Sequence, residues 1–226
     1  MAVEICESNQ LAKRAAEHIA DALKKALAAN SSASLCLAGG TTPRAAYELL
    51  AKIPGIDWSK VSVYFGDERA VPPTHPDSNF AMAKAALFDR VPLPTTNIHR
   101  IIAEGPDQDA AARAYEALLP PRISVMVLGI GEDGHTASLF PGSAALDERS
   151  RRVLPVIGPK PPPQRVSVTP PVIEAAELCI VIANGAGKAE PVRRALKEPL
   201  DIHTTPSGLA RSGLWLLDPA AAALLS

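Results

Sequence analysis

The sequence predicts an α/β fold in which a mostly parallel sheet is covered by helices on both faces. Three observations carry that prediction. Short apolar runs recur along the chain and close on glycines or a polar loop, as buried strands do. Between them lie stretches whose apolar residues return at helical spacing. The two patterns alternate, and alternation of strand and helix builds a parallel sheet. The 226 residues suffice for a self-supporting core and read as one domain over positions 1–226.

From Asn9 to Ala29, the residues Leu11, Ala15, Ile19, Leu23 and Leu27 fall on one helical face, with Ser8 or Asn9 placed to cap its start. Ser34 to Ala38 is a buried strand closed by Gly39-Gly40, and helical spacing resumes after Pro43. Val61 to Phe65 is the next strand, running into the polar loop Gly66-Asp67-Glu68-Arg69, and a helix follows from Asn79 to Phe88. Ile123 to Leu128 is a strand ending at Gly129-Ile130-Gly131. Arg165 to Thr169 and Cys179 to Ala183 are strands, the second followed by Gly185, Gly187 and a helix through Leu196. Leu214 to Leu217 is the last strand before an alanine-rich terminal helix. The proline-rich stretch from Pro155 to Pro163 reads as a stiff loop rather than a linker, because strand pattern resumes directly after it.

Charge excludes some partners. Lys and Arg total 23 against 24 Asp and Glu, so the chain has no basic face for nucleic acid or an anionic membrane. Cys6, Cys36 and Cys179 are far apart, form no CxxC pair and suit a reducing compartment. No apolar run approaches the roughly 20 residues that cross a bilayer. Met1-Ala2-Val3-Glu4 does not open a secretion signal, so a cytoplasmic protein is expected.

In open parallel sheets, ligands bind beyond the carboxyl ends of the strands, and the chemically unusual residues gather there. Gly39-Gly40-Thr41-Thr42-Pro43 offers free backbone N–H groups, two hydroxyls and a helix N-terminus, which suits a phosphate monoester. The spacing is not that of a nucleotide P-loop. The loop Gly129-Ile130-Gly131-Glu132-Asp133-Gly134-His135-Thr136 matches GxGxxG, but Pro141-Gly142 interrupts the long helix that a dinucleotide site needs. What remains is His135 among glycines beside Asp133. An imidazole can take up and return a proton near neutral pH. No HExxH or cysteine–histidine cluster is present, so a zinc site is unsupported. Arg165 and Lys188 are cations near strand–loop junctions, and Lys188 stands at a helix start, where a positive charge is unfavourable without an anion.

Ala38-Gly39-Gly40-Thr41-Thr42-Pro43, Gly66-Asp67-Glu68-Arg69-Ala70-Val71-Pro72, Asp77-Ser78-Asn79 and the block from Leu128 to Gly142 closely resemble the 6-phosphogluconolactonase family. Lys160-Pro161-Pro162-Pro163-Gln164-Arg165 and Gly187-Lys188-Ala189 follow in the family's order. The resemblance implies a Rossmann-like three-layer sandwich, shared with the glucosamine-6-phosphate deaminases. It also implies hydrolysis of 6-phosphoglucono-δ-lactone without a metal, and no other cofactor is expected. The expected partner is the small sugar-phosphate lactone, bound by a monomer or small homo-oligomer. Deaminases place an acid in an Asn-Glu-Pro-type motif after the histidine, whereas this chain has Ser138-Leu139-Phe140-Pro141-Gly142. Ser124 and Arg211-Ser212-Gly213 depart from the family pattern. Under this reading Gly39, Gly40, Thr41, Thr42, Arg165 and Lys188 hold the phosphate and His135 is the base. Arg69 stabilises the oxyanion, and Asp133 or Asp67 orients the imidazole.

Overall fold

Five consecutive buried residues mark β2 (Ala33–Leu37) and again β8 (Cys179–Ala183), the pattern of strands covered on both faces. The computed structural model describes residues 1–225. Its larger sheet has six strands in the order β1 (Ala2–Ile5), β9 (Leu214–Leu217), β8, β5 (Val125–Gly129), β2 and β3 (Val61–Phe65). All five neighbouring pairs are parallel. The second sheet is antiparallel, with β4 (Asp67–Arg69), β7 (Gln164–Val168) and β6 (Val153–Ile157) side by side in that order. The helices flanking the sheets are α1 (Ser8–Asn30), α2 (Thr41–Leu50), α3 (Asn79–Ala86), α4 (Gln108–Glu116), α5 (Pro170–Ala175) and α6 (Ala189–Lys197). No helix is long and apolar enough to cross a membrane among the described residues.

Strand order places the site. From β2 the chain moves outward to β3, whereas β5 leads the other way to β8 and β9. The crevice between the ends of β2 and β5 is therefore a topological switch point, where open sheets bind ligands. Two buried tyrosines finish the strand ends beside it. The Tyr47 hydroxyl accepts from Ala38 N–H at 2.9 Å and donates to Ala38 O at 3.0 Å. Tyr115 does the same for Phe65, at 2.7 and 2.9 Å. Each hydroxyl satisfies two backbone groups, and burial pushes both phenols above their ordinary pKa, so they stay neutral.

Several expectations are corrected. Asp67–Arg69 is a strand rather than a polar loop, because it pairs with β7. Val153–Ile157 is a strand also, so only the stretch from Gly158 to Pro163 remains loop, and Pro155 is tolerated because β6 is an edge. Neither Ser8 nor Asn9 caps α1. The cap residue is Glu7, without a side-chain bond, and Ser8 Oγ donates to Asp218 at 2.8 Å instead. The alanine-rich terminus forms turns over positions 219–224 rather than a helix, a run too short to repay helix nucleation. The two family departures have local roles. Ser124 exchanges hydrogen bonds with Ser34, and Arg211 ties down the carbonyls of Ala195 and Glu198 at the end of α6.

Candidate active site

Beyond the switch point lies a cavity of about 220 Å³. Gly39 and Gly40 reach it after β2, Asp67 and Arg69 from β4, Gly129 from the end of β5, and Gly131 and His135 from the loop after it. Arg165 enters from β7 and Lys188 from the turn ahead of α6. Three expected residues are not in the wall. Thr41 and Thr42 form the first turn of α2 beside it, and Asp133 stands behind His135.

The His135 loop is tightly folded. Gly131 N–H donates to His135 O at 2.8 Å, and Gly134 takes φ +92°, a conformation that favours glycine. Ala137 holds φ +48° without that freedom. His135 Nδ1 lies 2.5 Å from Asp133 Oδ1, which also accepts the His135 backbone N–H at 3.1 Å. The carboxylate assigns the proton to Nδ1 and leaves Nε2 as the free base. Burial works against the Asp133 carboxylate, but bonds from the His135 ring and backbone prevail and hold its pKa below the ordinary 3.8. No pair of this kind joins His135 to Asp67. A Cβ at position 131 would overlap both the imidazole and Asp133, so only glycine leaves room for the pair.

Asp67 lines the cavity from β4. It accepts from Ser138 Oγ at 2.6 Å and from Asn79 Nδ2 at 3.1 Å, and it lies 3.9 Å from Arg165 Nη1. Its neighbour Glu68 faces the other way, accepting the backbone N–H groups of Arg69, Asn79 and Phe80 and the Ser78 hydroxyl. Burial pushes the Glu68 carboxyl upward against those donors. Glu68 thereby fastens β4 to the start of α3, where a carboxylate suits the helix dipole.

Arg69 and Arg165 are directly opposed partners across the β4–β7 pair. Two cations in that relation destabilise a sheet unless an anion joins them. Both are otherwise fixed. Arg69 Nη1 donates to Asp77 O at 2.6 Å, while its buried Nε has no partner. Arg165 donates to the carbonyls of Pro162 and Lys160 at 3.2 and 3.3 Å. Burial weakens the Arg165 guanidinium's hold on its proton, Asp67 opposes this, and Arg69 adds to it. Lys188 makes no ion pair among the described residues. The cavity thus gathers three cations and the His135 imidazole.

The comparisons bear on what this wall serves. Residues 7–215 match the family model for glucosamine-6-phosphate isomerases and 6-phosphogluconolactonase. The chain belongs to this family. A 6-phosphogluconolactonase from Nostoc is 36% identical, with 97% of this chain and 96% of the relative covered. One from Streptomyces coelicolor is 39% identical over 95% of this chain and 90% of the relative. The crystal structure of 6-phosphogluconolactonase from Leishmania guyanensis superposes with a TM-score of 0.86 at 31% identity, covering 97% of each chain. A monomeric glucosamine-6-phosphate deaminase also superposes, with a TM-score of 0.86, but at 22% identity it speaks for the fold alone. The chain is an enzyme of the lactonase branch, and its six-stranded parallel sheet is the family's Rossmann-like α/β fold.

Asn79 and Ser138, which hold Asp67, lie in the motifs Asp77-Ser78-Asn79 and Ser138-Leu139-Phe140-Pro141-Gly142, but the sequence assigns neither of them this role. Ser138 lacks the G-x-S-x-G elbow of a nucleophile, and its bond to Asp67, 71 positions away, is set by the fold.

Proposed function

We propose that the chain hydrolyses 6-phosphoglucono-δ-lactone to 6-phosphogluconate, the lactone-opening step of the oxidative pentose phosphate pathway, in the cytoplasm and without a metal. The observation that carries this reading is the His135–Asp133 pair, facing a small cavity across from Arg69, Arg165 and Lys188. Arg165, Lys188 and the Gly39–Gly40 backbone hold the 6-phosphate, with Thr41 and Thr42 contributing from the first turn of α2. Holding that remote dianion fixes the ring against the base.

His135 Nε2 takes a proton from water, and the hydroxide adds to the lactone carbonyl. Arg69 faces the oxygen on which charge develops. When the tetrahedral adduct collapses, the bond from the carbonyl carbon to the ring oxygen breaks, and the imidazolium returns its proton to that oxygen. Asp133 keeps the imidazole oriented and favours its charged form. Asp67, tied to Ser138 and Asn79, keeps Arg165 in place.

Lactone hydrolysis above its spontaneous background, measured in chelator, tests the proposal. The native chain should be active, and His135→Ala should lose about 10²- to 10⁴-fold in kcat. Full activity in the mutant would overturn the mechanism. No activity in the native chain would overturn the function, and ammonia release from glucosamine 6-phosphate would then be tested.

A further inference from the structure

The buried Phe140 has no part in the steps above, yet its ring touches both ends of the site. The His135 ring lies 4.7 Å from it, centroid to centroid, tilted by 41°. The Arg165 guanidinium carbon stands over the same ring, 5.6 Å from its centroid. The fit is close on the third side as well. A Cβ at Gly158 would come within 2.9 Å of the Phe140 ring and 3.0 Å of Arg165 Nε. Gly158 is in turn fixed by donating to Pro163 O at 2.7 Å, and Arg165 is bound to Pro162 O in the same loop. The phenyl ring is therefore wedged between the histidine and the arginine.

We propose that Phe140 is a positioning residue that couples the two ends of the site, packing His135 against Arg165 and presenting its π system to the guanidinium and to the imidazolium formed during turnover. An aromatic face attracts a cation within about 6 Å, and an aliphatic side chain of similar size does not. The ring stabilises Arg165 in the conformation that meets a phosphate, although burial and Arg69 oppose a charge there. It also favours charged His135, the state that delivers the proton to the leaving oxygen. This inference rests on the lactonase reading for its catalytic consequence. The coupling itself can be read on the folded protein without turnover.

The test is a pair of replacements at position 140, Phe140→Leu and substitution by 4-fluorophenylalanine. The first keeps an apolar side chain but removes the ring. The second keeps shape and weakens the quadrupole, so it carries the test if the leucine variant folds poorly. The other charges around His135 stay constant in both: Asp133 on its own loop, Asp67 and Arg69 on β4, Arg165 on β7 and Lys188 before α6. Two readouts are taken, the His135 midpoint from an NMR titration and the dissociation constant of inorganic phosphate. For Phe140→Leu the midpoint should fall by about half a pH unit, and phosphate should bind about three- to tenfold more weakly. 4-Fluorophenylalanine should move both the same way by less. In the hydrolysis assay, the acid limb of kcat/KM should move with the midpoint and KM should rise with the phosphate constant. Unchanged midpoint and phosphate binding in both variants, with or without a lower Tm, would overturn the coupling. Absence of lactonase activity in the native chain would overturn the functional reading, while the two binding readouts would still decide the role of Phe140.

Discussion

Replacing Gly131 by alanine tests how far the His135–Asp133 geometry governs activity. Gly131 lies outside the left-handed region, so its backbone accepts alanine, and such a change elsewhere in a loop often stabilises by about 0.4–1 kcal/mol. Here the added methyl falls inside 3.0 Å of His135 Nδ1, His135 Cε1 and Asp133 Oδ1, against ordinary contact beyond 3.4 Å. Imidazole and carboxylate must therefore shift by about an ångström. A displacement of that size costs about 10²-fold in rate when it moves a reacting group. Overpacking costs about 1–3 kcal/mol, partly offset by the lost chain entropy, so the net destabilisation should be about 1–2 kcal/mol, a Tm change of about 2–8 °C in a chain of this size. Lactone hydrolysis and thermal unfolding, measured side by side, give both numbers. Gly105→Ala is the control, because nothing lies within 4 Å of a Cβ there. Activity of Gly131→Ala within about threefold of native would refute the reasoning, since the pair would then have found another arrangement without cost.

Other predictions follow from the same geometry. Asp133→Asn keeps an acceptor for Nδ1 but removes the charge, so the acid limb of kcat/KM should move down by about one pH unit and kcat should fall about ten- to a hundredfold. Asp133 itself, held below 3.8, remains ionised across that limb in the native chain, and an unchanged pH profile would show that it plays no orienting part. On the far side of the fold, bonding from Arg14, opposed by burial and aided by His18, lowers the Glu4 carboxyl from 4.5 to about 2. Because the folded value is depressed, its contribution is complete above pH 4.5 and disappears as pH falls toward 2. Glu4→Gln should be less stable by about 1 kcal/mol at pH 7, the size of a partly exposed ion pair, and the gap should close in acid-titrated urea unfolding. Burial holds the Cys36 thiol far above its ordinary value and pushes Cys179 up to about 12. Thiol titration at neutral pH should thus find only Cys6 reactive, and slowly, until denaturant exposes all three cysteines.

The central strands were legible because full burial writes itself as an unbroken apolar run. The run Leu35-Cys36-Leu37 before Gly39-Gly40 admits few other readings. Strands with one face elsewhere engaged were not. β1 is largely exposed along its length, β4 reads Asp-Glu-Arg, and β6 carries a proline. In β4 the side chains alternate between the α3 start, which takes Glu68, and the cavity, which takes Asp67 and Arg69. Strand pairing there is decided by the partner β7 and not by local propensity. The same limit applied to the site. The glycines, His135 beside Asp133, and Arg165 stand out by type and position at strand ends, Arg69 enters through the family resemblance, and the structure brings Gly39, Gly40, Arg69, His135 and Arg165 to one cavity. The choice between Asp133 and Asp67 as the histidine's partner depended on side-chain direction, which spacing does not encode.

The opposition of Arg69 and Arg165 gives the second sheet a part in the proposed function. The parallel sheet alone supplies the glycine loops after β2 and β5 and the cation before α6, enough to receive a phosphate and place a base. In the proposed mechanism, the charge facing the lactone carbonyl comes from outside that sheet. The short antiparallel sheet supplies it by setting two guanidiniums in register, each fixed by carbonyl bonds, with Asp67 3.9 Å from Arg165. Such an arrangement opposes two like charges, and a polyanionic substrate would relieve the repulsion. Under the proposed function, binding should favour substrates carrying a negative group at one end and a carbonyl that becomes negative at the other. A neutral lactone lacking the phosphate satisfies only one of the two arginines. It should therefore lose in kcat as well as in KM, because no held phosphate fixes its ring against the base in the transition state.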